Sequence, residues 1–572
     1  MVAPKEPQLN DTLVISTNGS TNDITALQAE DGAQEKIKAT KNRTWRFWLV
    51  YLCLCSISFL SALDGSIITT ALPTITDSIG GRDQFVWIAN CFVLASTVIQ
   101  PSCAQLSNIF GRRIPMIISV ALFALGSGIA GGSNGVAMMI AGRTVQGLGS
   151  GGIYLLVDLI TCDLVSPRER GKYLGIMLSA AAIGSILGPV FGGLLAEANW
   201  RWVFYINLPI SGVVLVVMIL FLQLKKKEEP SRRAVINGVD WIGNIIFIAS
   251  MCSLLVGMIS GGIVYSWSSW RVIVPLVIGV LGWVGFHIYE MCHFCKNPAI
   301  PPSLFGKKNA AIGYFLAFDA AMLLRWLVFY LPIYFQGVRG TTPGTSGVDI
   351  LPYNAFIIPA SIVAGALMSK LGIYRPLHGT GFALVALGSG LLTLLDQHSS
   401  TVLWVIFEMF IAIGEGLLIP TILPAIQVSL PSSEIASATG AYAFIRSFAF
   451  IWGVTIPAII FNGQFDHYIS FISDKSVQNA LRGGAAYSNA AGTYIKSLPS
   501  GVQAEIVHVY TASLNTVWQV AIAFALLGFI LSFCQSHIEL KEEVNSDFGL
   551  KERDAEVNTS GNTEANAGKE AM

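Results

Sequence analysis

The stretch Gly184-Ser-Ile-Leu-Gly188-Pro189-Val-Phe-Gly192-Gly193 sets four glycines and a proline inside an apolar run that otherwise reads as membrane-spanning. On a helix, Gly184 and Gly188 share one face at i, i+4, and Gly192 continues it, so a second helix can approach backbone to backbone. Pro189 removes one backbone donor and bends the helix, which predicts a close-packed, kinked contact. A lone G-x-x-x-G is a generic packing face. Only its surroundings can give it a more particular meaning.

Those surroundings are apolar. With 53% hydrophobic and 12% charged residues over 572 positions and a mean hydropathy of +0.61, the chain is no ordinary soluble globule. Roughly fourteen runs of about 20 apolar residues are each long enough to cross a ~30 Å hydrocarbon core as a helix. The fold class expected is therefore an all-α polytopic membrane protein. A net charge of +0 gives no hint of nucleic acid. The absence of a Walker A G-x-x-x-x-G-K-[ST] gives none of an ATP-driven pump. Nine cysteines, an odd number, lie mostly in spans or inner loops and argue against a disulfide framework. Cys292-His293-Phe294-Cys295 lacks the second pair a metal site needs. No nucleophile–base set has usable spacing, so neither an enzyme nor a cofactor is expected.

Residues 1–44 are polar, too poor in apolar surface to form a core, and read as a disordered cytoplasmic tail. The first apolar run begins near Trp45, too far in and too long for a cleaved signal peptide, and is expected to stay as an anchor. Six spans occupy 45–223, two more lie in a linker at 224–308, six occupy 309–536, and 537–572 is a second polar tail. With the amino terminus inside, the inner loops receive Arg112 and Arg113, Arg168, Arg170 and Lys172, Lys225–Lys227, Lys307 and Lys308, and Lys370 and Arg375. The outer loops receive mainly the single arginines Arg82, Arg201, Arg271 and Arg339, an asymmetry that puts both termini in the cytoplasm. The sequons at Asn10, Asn18, Asn42 and Asn558 then stay unmodified. One long outer loop is expected at about 462–512, where Phe465, Tyr468, Ile469 and Ile472 predict a short amphipathic helix on the membrane surface. Trp200-Arg-Trp-Val-Phe-Tyr-Ile-Asn207-Leu-Pro209 reads as interfacial, its Trp and Tyr at headgroup level.

A weak internal repeat runs through this order. Leu106-Ser-Asn108-Ile-Phe-Gly111-Arg112-Arg113-Ile-Pro115 echoes Met368-Ser-Lys-Leu-Gly-Ile-Tyr-Arg-Pro376, and Gly147-Leu-Gly149 echoes Gly414-Glu-Gly416. The common offset implies six spans, two inserted, then six more, as in transporters built from duplicated halves.

Charge inside a membrane is the strongest functional pointer, because each such group costs ~2.5–3.5 kcal/mol even on the lenient insertion scale. Asp64 in span 1 and Arg143 in span 4 lie at similar depth, ~10 Å from the outer end at 1.5 Å per residue, and are able to pair. The pair is readable as a structural lock or as a proton-operated switch in which protonating Asp64 frees Arg143. The second half keeps Asp319, Arg325, Glu408, Glu415 and Arg446. Glu408 and Glu415 share a helix face, and depth pairs Arg325 with Glu408 and Arg446 with Glu415. These five are candidates for substrate or proton binding. Asp158, near the inner end of span 4, reads as reaching the interface. Asn108, Gly111, Arg112 and Arg113, set against Asp163, Arg168, Glu169 and Arg170, propose an ionic latch that breaks between conformations, or else simple positive-inside topogenesis.

Taken in order, these motifs resemble the major facilitator superfamily, specifically its fourteen-span drug:proton antiporter branch in the fungal multidrug and toxin efflux group. Leu63-Asp64-Gly-Ser-Ile-Ile-Thr-Thr-Ala71-Leu72-Pro73 resembles that branch's span 1 motif, and Arg143-Thr-Val-Gln146-Gly147-Leu-Gly149 its span 4 motif. Gly184 to Gly193 matches its span 5 motif G-x-x-x-G-P-x-x-G-G in full, with Gly184, Gly188, Pro189, Gly192 and Gly193 as the antiporter hinge. The loop motif G-x-L-A-D-x-x-G-R-[RK] is departed from: Ala104 replaces the usual Gly and Asn108 the usual Asp, which removes a charged latch partner. The resemblance implies two six-helix bundles around a midplane cavity, with two accessory helices. It further implies a monomer in the lipid bilayer of the plasma membrane, or of the vacuole, that exports amphipathic organic compounds such as drugs, toxins or secondary metabolites against protons. Asp64 and Arg143 would then serve in proton coupling. Uptake of a nutrient or siderophore, and a non-transporting sensor on the same fold, are the alternatives.

Overall fold

The computed structural model describes residues 44–79, 85–223, 239–261, 265–292, 298–482 and 497–538, with 486 and 495. Both polar tails, the four sequons, Arg82, Lys225–Lys227 and the His293-Phe294-Cys295 part of the C-x-x-C lie outside the described residues, as do the side chains at Pro189 and Gly193. The chain divides into two compact units, Met1–Leu49 and Val50–Met572, and every candidate site residue belongs to the second.

Helices account for every span position read from the sequence. They are α1 (Trp45–Ile79), α2 (Phe85–Val98), α3 (Gln100–Phe110), α4 (Arg113–Gly131), α5 (Val136–Leu164), α6 (Arg170–Asn199) and α7 (Asn207–Phe221). The two inserted helices are α8 (Trp241–Ser260) and α9 (Trp270–Met291). The second set is α10 (Lys308–Ile333), α11 (Leu351–Leu371), α12 (Arg375–Leu392), α13 (Thr401–Leu418), α14 (Ile435–Tyr468) and α15 (Ser500–Phe533). Among the described residues, twelve helices are long and apolar enough to cross a membrane. The α2–α3 pair and α12 lie where two more spans are expected from the sequence but are not among those twelve. On α9 the apolar side chains of Val274, Ile278, Leu281 and Ile288 stand uncovered by protein, as expected of a helix that crosses a membrane.

Local chemistry sets the helix ends. Pro101, at the second position of α3, cannot donate to the preceding turn and breaks span 2 at Ile99. Asp240 caps α8 by accepting from the Gly243 amide at 2.9 Å. The internal repeat has a backbone counterpart. Gly111 after α3 has φ 76° and Gly372 after α11 has φ 67°, a conformation glycine adopts without cost. Both turns lead directly into a helix with a proline near its start, Pro115 in α4 and Pro376 in α12.

Glycine faces set the helix contacts. In α6 a Cβ at Gly184 would overlap the Phe59 carbonyl of α1, and one at Gly188 would overlap Ser66 Oγ and sit 2.9 Å from the Ile67 amide. The small-residue face of span 5 therefore packs on span 1, and α6 runs without interruption from Arg170 to Asn199. Within the first set α4 packs on α5 and α7, and α2 on α5. Within the second, α12 and α11 pack on α13, and α10 and α15 on α14.

Two expectations about local structure need correction. Phe465 does not start a surface helix: α14 runs on through it to Tyr468, and Phe465, Ile469 and Ile472 are buried. Phe465 meets Tyr510 edge-on at 5.0 Å, because α15 begins at Ser500 and gives that apolar stripe a protein partner instead of a membrane surface. Trp200 is buried and donates to Ser78 Oγ at 3.0 Å, while Trp202 stays exposed. Asp158 does not reach the interface but is buried with a charged partner.

Candidate functional site

The first polar centre is built around Asp64, buried at the middle of α1. Arg143 of α5 donates from Nη1 to Asp64 Oδ2 at 2.6 Å and to Gln146 Oε1 at 2.8 Å. Gln146, one turn on, donates from Nε2 to Asp64 Oδ1 at 2.8 Å and to Ser127 Oγ of α4 at 2.7 Å. Asn207, at the start of α7, donates to the same Asp64 Oδ1 at 2.6 Å. The carboxylate thus accepts from three donors on two helices, and the guanidinium lies over Phe92 at 4.4 Å and Phe204 at 5.8 Å. The remaining Arg143 donors, Nε and Nη2, have no hydrogen-bond partner among the described residues. A buried ion pair holds only when its other lone pairs and protons are occupied, which the amides achieve for Asp64 and the rings achieve in part for Arg143.

The second centre lies in the C-terminal helices and has the opposite character. Asp319 of α10 and Glu408 and Glu415 of α13 are buried, and their carboxyl oxygens make no hydrogen bond among the described residues. Asp319 faces Gly528 of α15, where a Cβ would sit 2.6 Å from Oδ2. Tyr353 of α11 is within electrostatic reach of both glutamates. The expected pairings do not form. Arg325 lies over the Phe450 ring at 4.8 Å, and Arg446 turns to the other half, 3.5 Å from Asp158 Oδ2 of α5. Depth along parallel helices placed these charges at compatible heights but not on facing sides; helix rotation decided the partners.

The third cluster joins the two halves at the end carrying the 111–112 and 165–169 turns. Arg112 pairs with Asp163 at 2.8 Å and donates to Asn108 Oδ1 at 3.3 Å, while Asn108 Nδ2 reaches Ser437 Oγ of α14 at 3.4 Å. Arg168 donates to the carbonyls of Ser369 at 2.7 Å and Lys370 at 2.8 Å, and Arg170 to Gln427 Oε1 at 2.9 Å. Gln100 donates to Ser447 Oγ at 3.1 Å. Arg113 instead holds the Ile219 carbonyl of α7 at 2.6 Å. At the same end a Cβ at Gly175 of α6 would lie 2.7 Å from the Ser361 carbonyl of α11. The structure thus brings Asn108, Arg112 and Asp163 together and ties Arg168 and Arg170 to the other half, while Arg113 stays with α7.

A family model described as Major Facilitator Superfamily matches residues 54–454, from α1 well into α14. The chain belongs to the major facilitator superfamily. It is 51% identical over 525 residues to the MFS efflux transporter aclA of Aspergillus oryzae, covering 91% of this chain and 95% of that one. It is 40% identical over 527 residues to the acurin A biosynthesis cluster MFS-type transporter of Aspergillus aculeatus, covering 91% and 95%. Among solved structures, the human organic anion transporter MFSD10 superposes with a TM-score of 0.57 at 14% identity, covering 86% of this chain and all of that one, a likeness of fold.

For this member of the major facilitator superfamily, the sequence pointed to Asp64 and Arg143 but passed over Ser127 and gave Asn207 no role. Asn207 carried a faint signal, a carboxamide beside Pro209 at the head of an apolar helix. Ser127 carried none, since a single hydroxyl is easily tolerated in a spanning helix by bonding its own backbone. Tyr353 is equally silent in sequence, because tyrosines recur throughout such chains for interfacial reasons.

Proposed function

We propose that this chain is a proton-coupled antiporter of the fourteen-span branch that exports amphipathic organic compounds, among them secondary metabolites. The observation that carries the reading is the buried Asp64–Arg143 pair, 2.6 Å apart and fenced by Gln146, Asn207 and Ser127. A proton on Asp64 removes the charge that holds Arg143, so the two protonation states favour different packings of α1, α5 and α7. The unpartnered Asp319, Glu408 and Glu415 support a second proton or cationic-substrate station in the C-terminal helices, since an ionised carboxylate buried alone is costly. Efflux as the direction follows the Aspergillus oryzae efflux transporter, and metabolites as the cargo follow the Aspergillus aculeatus biosynthesis-cluster transporter. In this reading the two bundles are 45–223 and 309–536, both termini are cytoplasmic, and the cross-half contacts close the cytoplasmic end, leaving the cavity facing outward.

The test is flux of an amphipathic dye from proteoliposomes with an imposed pH gradient. Flux that follows the gradient, and that Asp64→Asn uncouples from it, is expected; flux indifferent to a collapsed gradient would sink the antiport reading.

A further inference from the structure

Asp64 has two unlike oxygens. Oδ1 accepts from two neutral amides, Gln146 Nε2 at 2.8 Å and Asn207 Nδ2 at 2.6 Å, whereas Oδ2 accepts from Arg143 Nη1 at 2.6 Å. Gln146 is fully committed, because its Oε1 also accepts from Arg143 at 2.8 Å and its Nε2 also reaches Ser127 Oγ at 2.7 Å. Asn207 is not: its Nδ2 makes only a longer second contact to Ser127 Oγ at 3.3 Å, and its Oδ1 is buried without a partner among the described residues. That unspent acceptor is unusual, since buried carboxamides ordinarily satisfy both ends.

We infer that Asn207 is a positioning residue for proton coupling: with Gln146 it fills the lone pairs of Asp64 Oδ1, so that an incoming proton goes to Oδ2 and dislodges Arg143. The inference rests on the proton-coupled reading given above and names the residue that makes protonation productive. The step balances as a proton transfer: an O–H bond of an incoming hydronium breaks, an O–H bond forms at Oδ2, the Nη1–H···Oδ2 bond is lost, and Arg143 keeps its charge but loses its anionic partner. Were Oδ1 free, a proton could settle there and leave a neutral Nη1–H···Oδ2 hydrogen bond in place of the ion pair, so that protonation would loosen Arg143 without freeing it.

The other groups facing this carboxylate leave Asn207 as the adjustable part. Among the described residues, Arg143 and Tyr154 of α5 are the titratable or charged groups that act on Asp64, and Cys91 of α2 faces Arg143 in turn. From α4 comes only the Ser127 hydroxyl, reached through the two carboxamides, and from α7 only Asn207. On the α6 side, Gly184 and Gly188 pack against α1 and bring no polar side chain. Ionised carboxylates are favoured by each N–H that they accept, so removing the Asn207 donor favours protonation.

Infrared titration of the purified full chain in lipid reads this without a substrate. The carboxylic C=O band that Asp64→Asn deletes reports protonation of Asp64. In Asn207→Ala, and in the volume-conserving Asn207→Leu should the smaller residue fail to fold, that band is expected to titrate about one pH unit higher, a tenfold change in proton concentration. It should also broaden as the proton divides between two oxygens. Ser211→Ala, one turn further along α7 and also buried, should leave both features in place. An unchanged midpoint and width in both Asn207 variants overturns the inference while leaving proton coupling intact. A band that no pH brings out at Asp64 removes the coupling reading and the inference together.

Discussion

The two halves handle buried charge in opposite ways, and the difference is visible one residue at a time. Asp64 is saturated with donors, whereas Glu408 and Glu415 make no hydrogen bond among the described residues. Truncating a satisfied group leaves its partner stranded, whereas neutralising an unsatisfied one relieves a cost. Glu408→Gln should accordingly leave the melting temperature of the detergent-solubilised protein unchanged or raised while reducing gradient-driven flux. A fall in both together would mean that Glu408 has a structural partner. Asp158→Asn should behave in reverse. It strands Arg446, whose 3.5 Å contact is the charged link between α5 and α14, and breaking a buried pair costs up to about 3–5 kcal/mol. The reciprocal exchange, Asp158→Arg with Arg446→Asp, should recover part of the lost thermal stability. Recovery no better than the sum of the single changes would show that the pair contributes nothing as a pair.

At the scale of elements, the glycines of α6 separate into those that touch and those that only permit. Gly188 is pressed to Ser66 and Ile67 of α1, so Gly188→Leu forces the two helices apart, an overpacking that costs typically about 1–3 kcal/mol and more where backbone must move. Gly212 of α7 has open space around it, and Gly212→Leu is the matched control. The yield of monodisperse protein on gel filtration should collapse for the first and hold for the second; equal yields would mean that α6 and α1 are not in register through this face. This contact was legible in the sequence because glycine at i, i+4 has one geometric consequence. Helix existence was legible for the same kind of reason, since about 20 apolar residues have few other uses. Side-chain partners were not. Arg446 was matched to Glu415 by depth alone, and depth says nothing of rotation about the axis. The continuation of α14 through Phe465 was missed because an amphipathic stripe looks alike whether lipid headgroups or Tyr510 cover it.

For the whole molecule, cross-half bonds gather at one end, Asn108 to Ser437, Arg168 to Ser369 and Lys370, and Arg170 to Gln427, with Gln100 to Ser447 deeper along the same α3–α14 seam. The inserted helices reinforce that closure. Asn244 of α8 accepts from Ser102 Oγ at 2.6 Å and donates to Gln105 Oε1 at 2.7 Å on α3, while Phe247 meets Phe444 of α14 at 5.1 Å. One helix of the inserted pair therefore grips both members of the α3–α14 contact. Most of these bonds are neutral or end on carbonyls, and such contacts contribute about 1 kcal/mol each, weak enough to break and re-form between conformations in the proposed cycle. If transport requires this end to open, tying it shut must stop it. Asn108→Cys with Ser437→Cys, in a background lacking the exposed Cys292 and Cys534, places two thiols where a 3.4 Å hydrogen bond now stands. Oxidation should cross-link them and abolish dye efflux, and a reductant should restore it. Fully cross-linked protein that transports at the reduced rate would show that the substrate path does not pass between these helices, and alternating access at this seam would have to be abandoned.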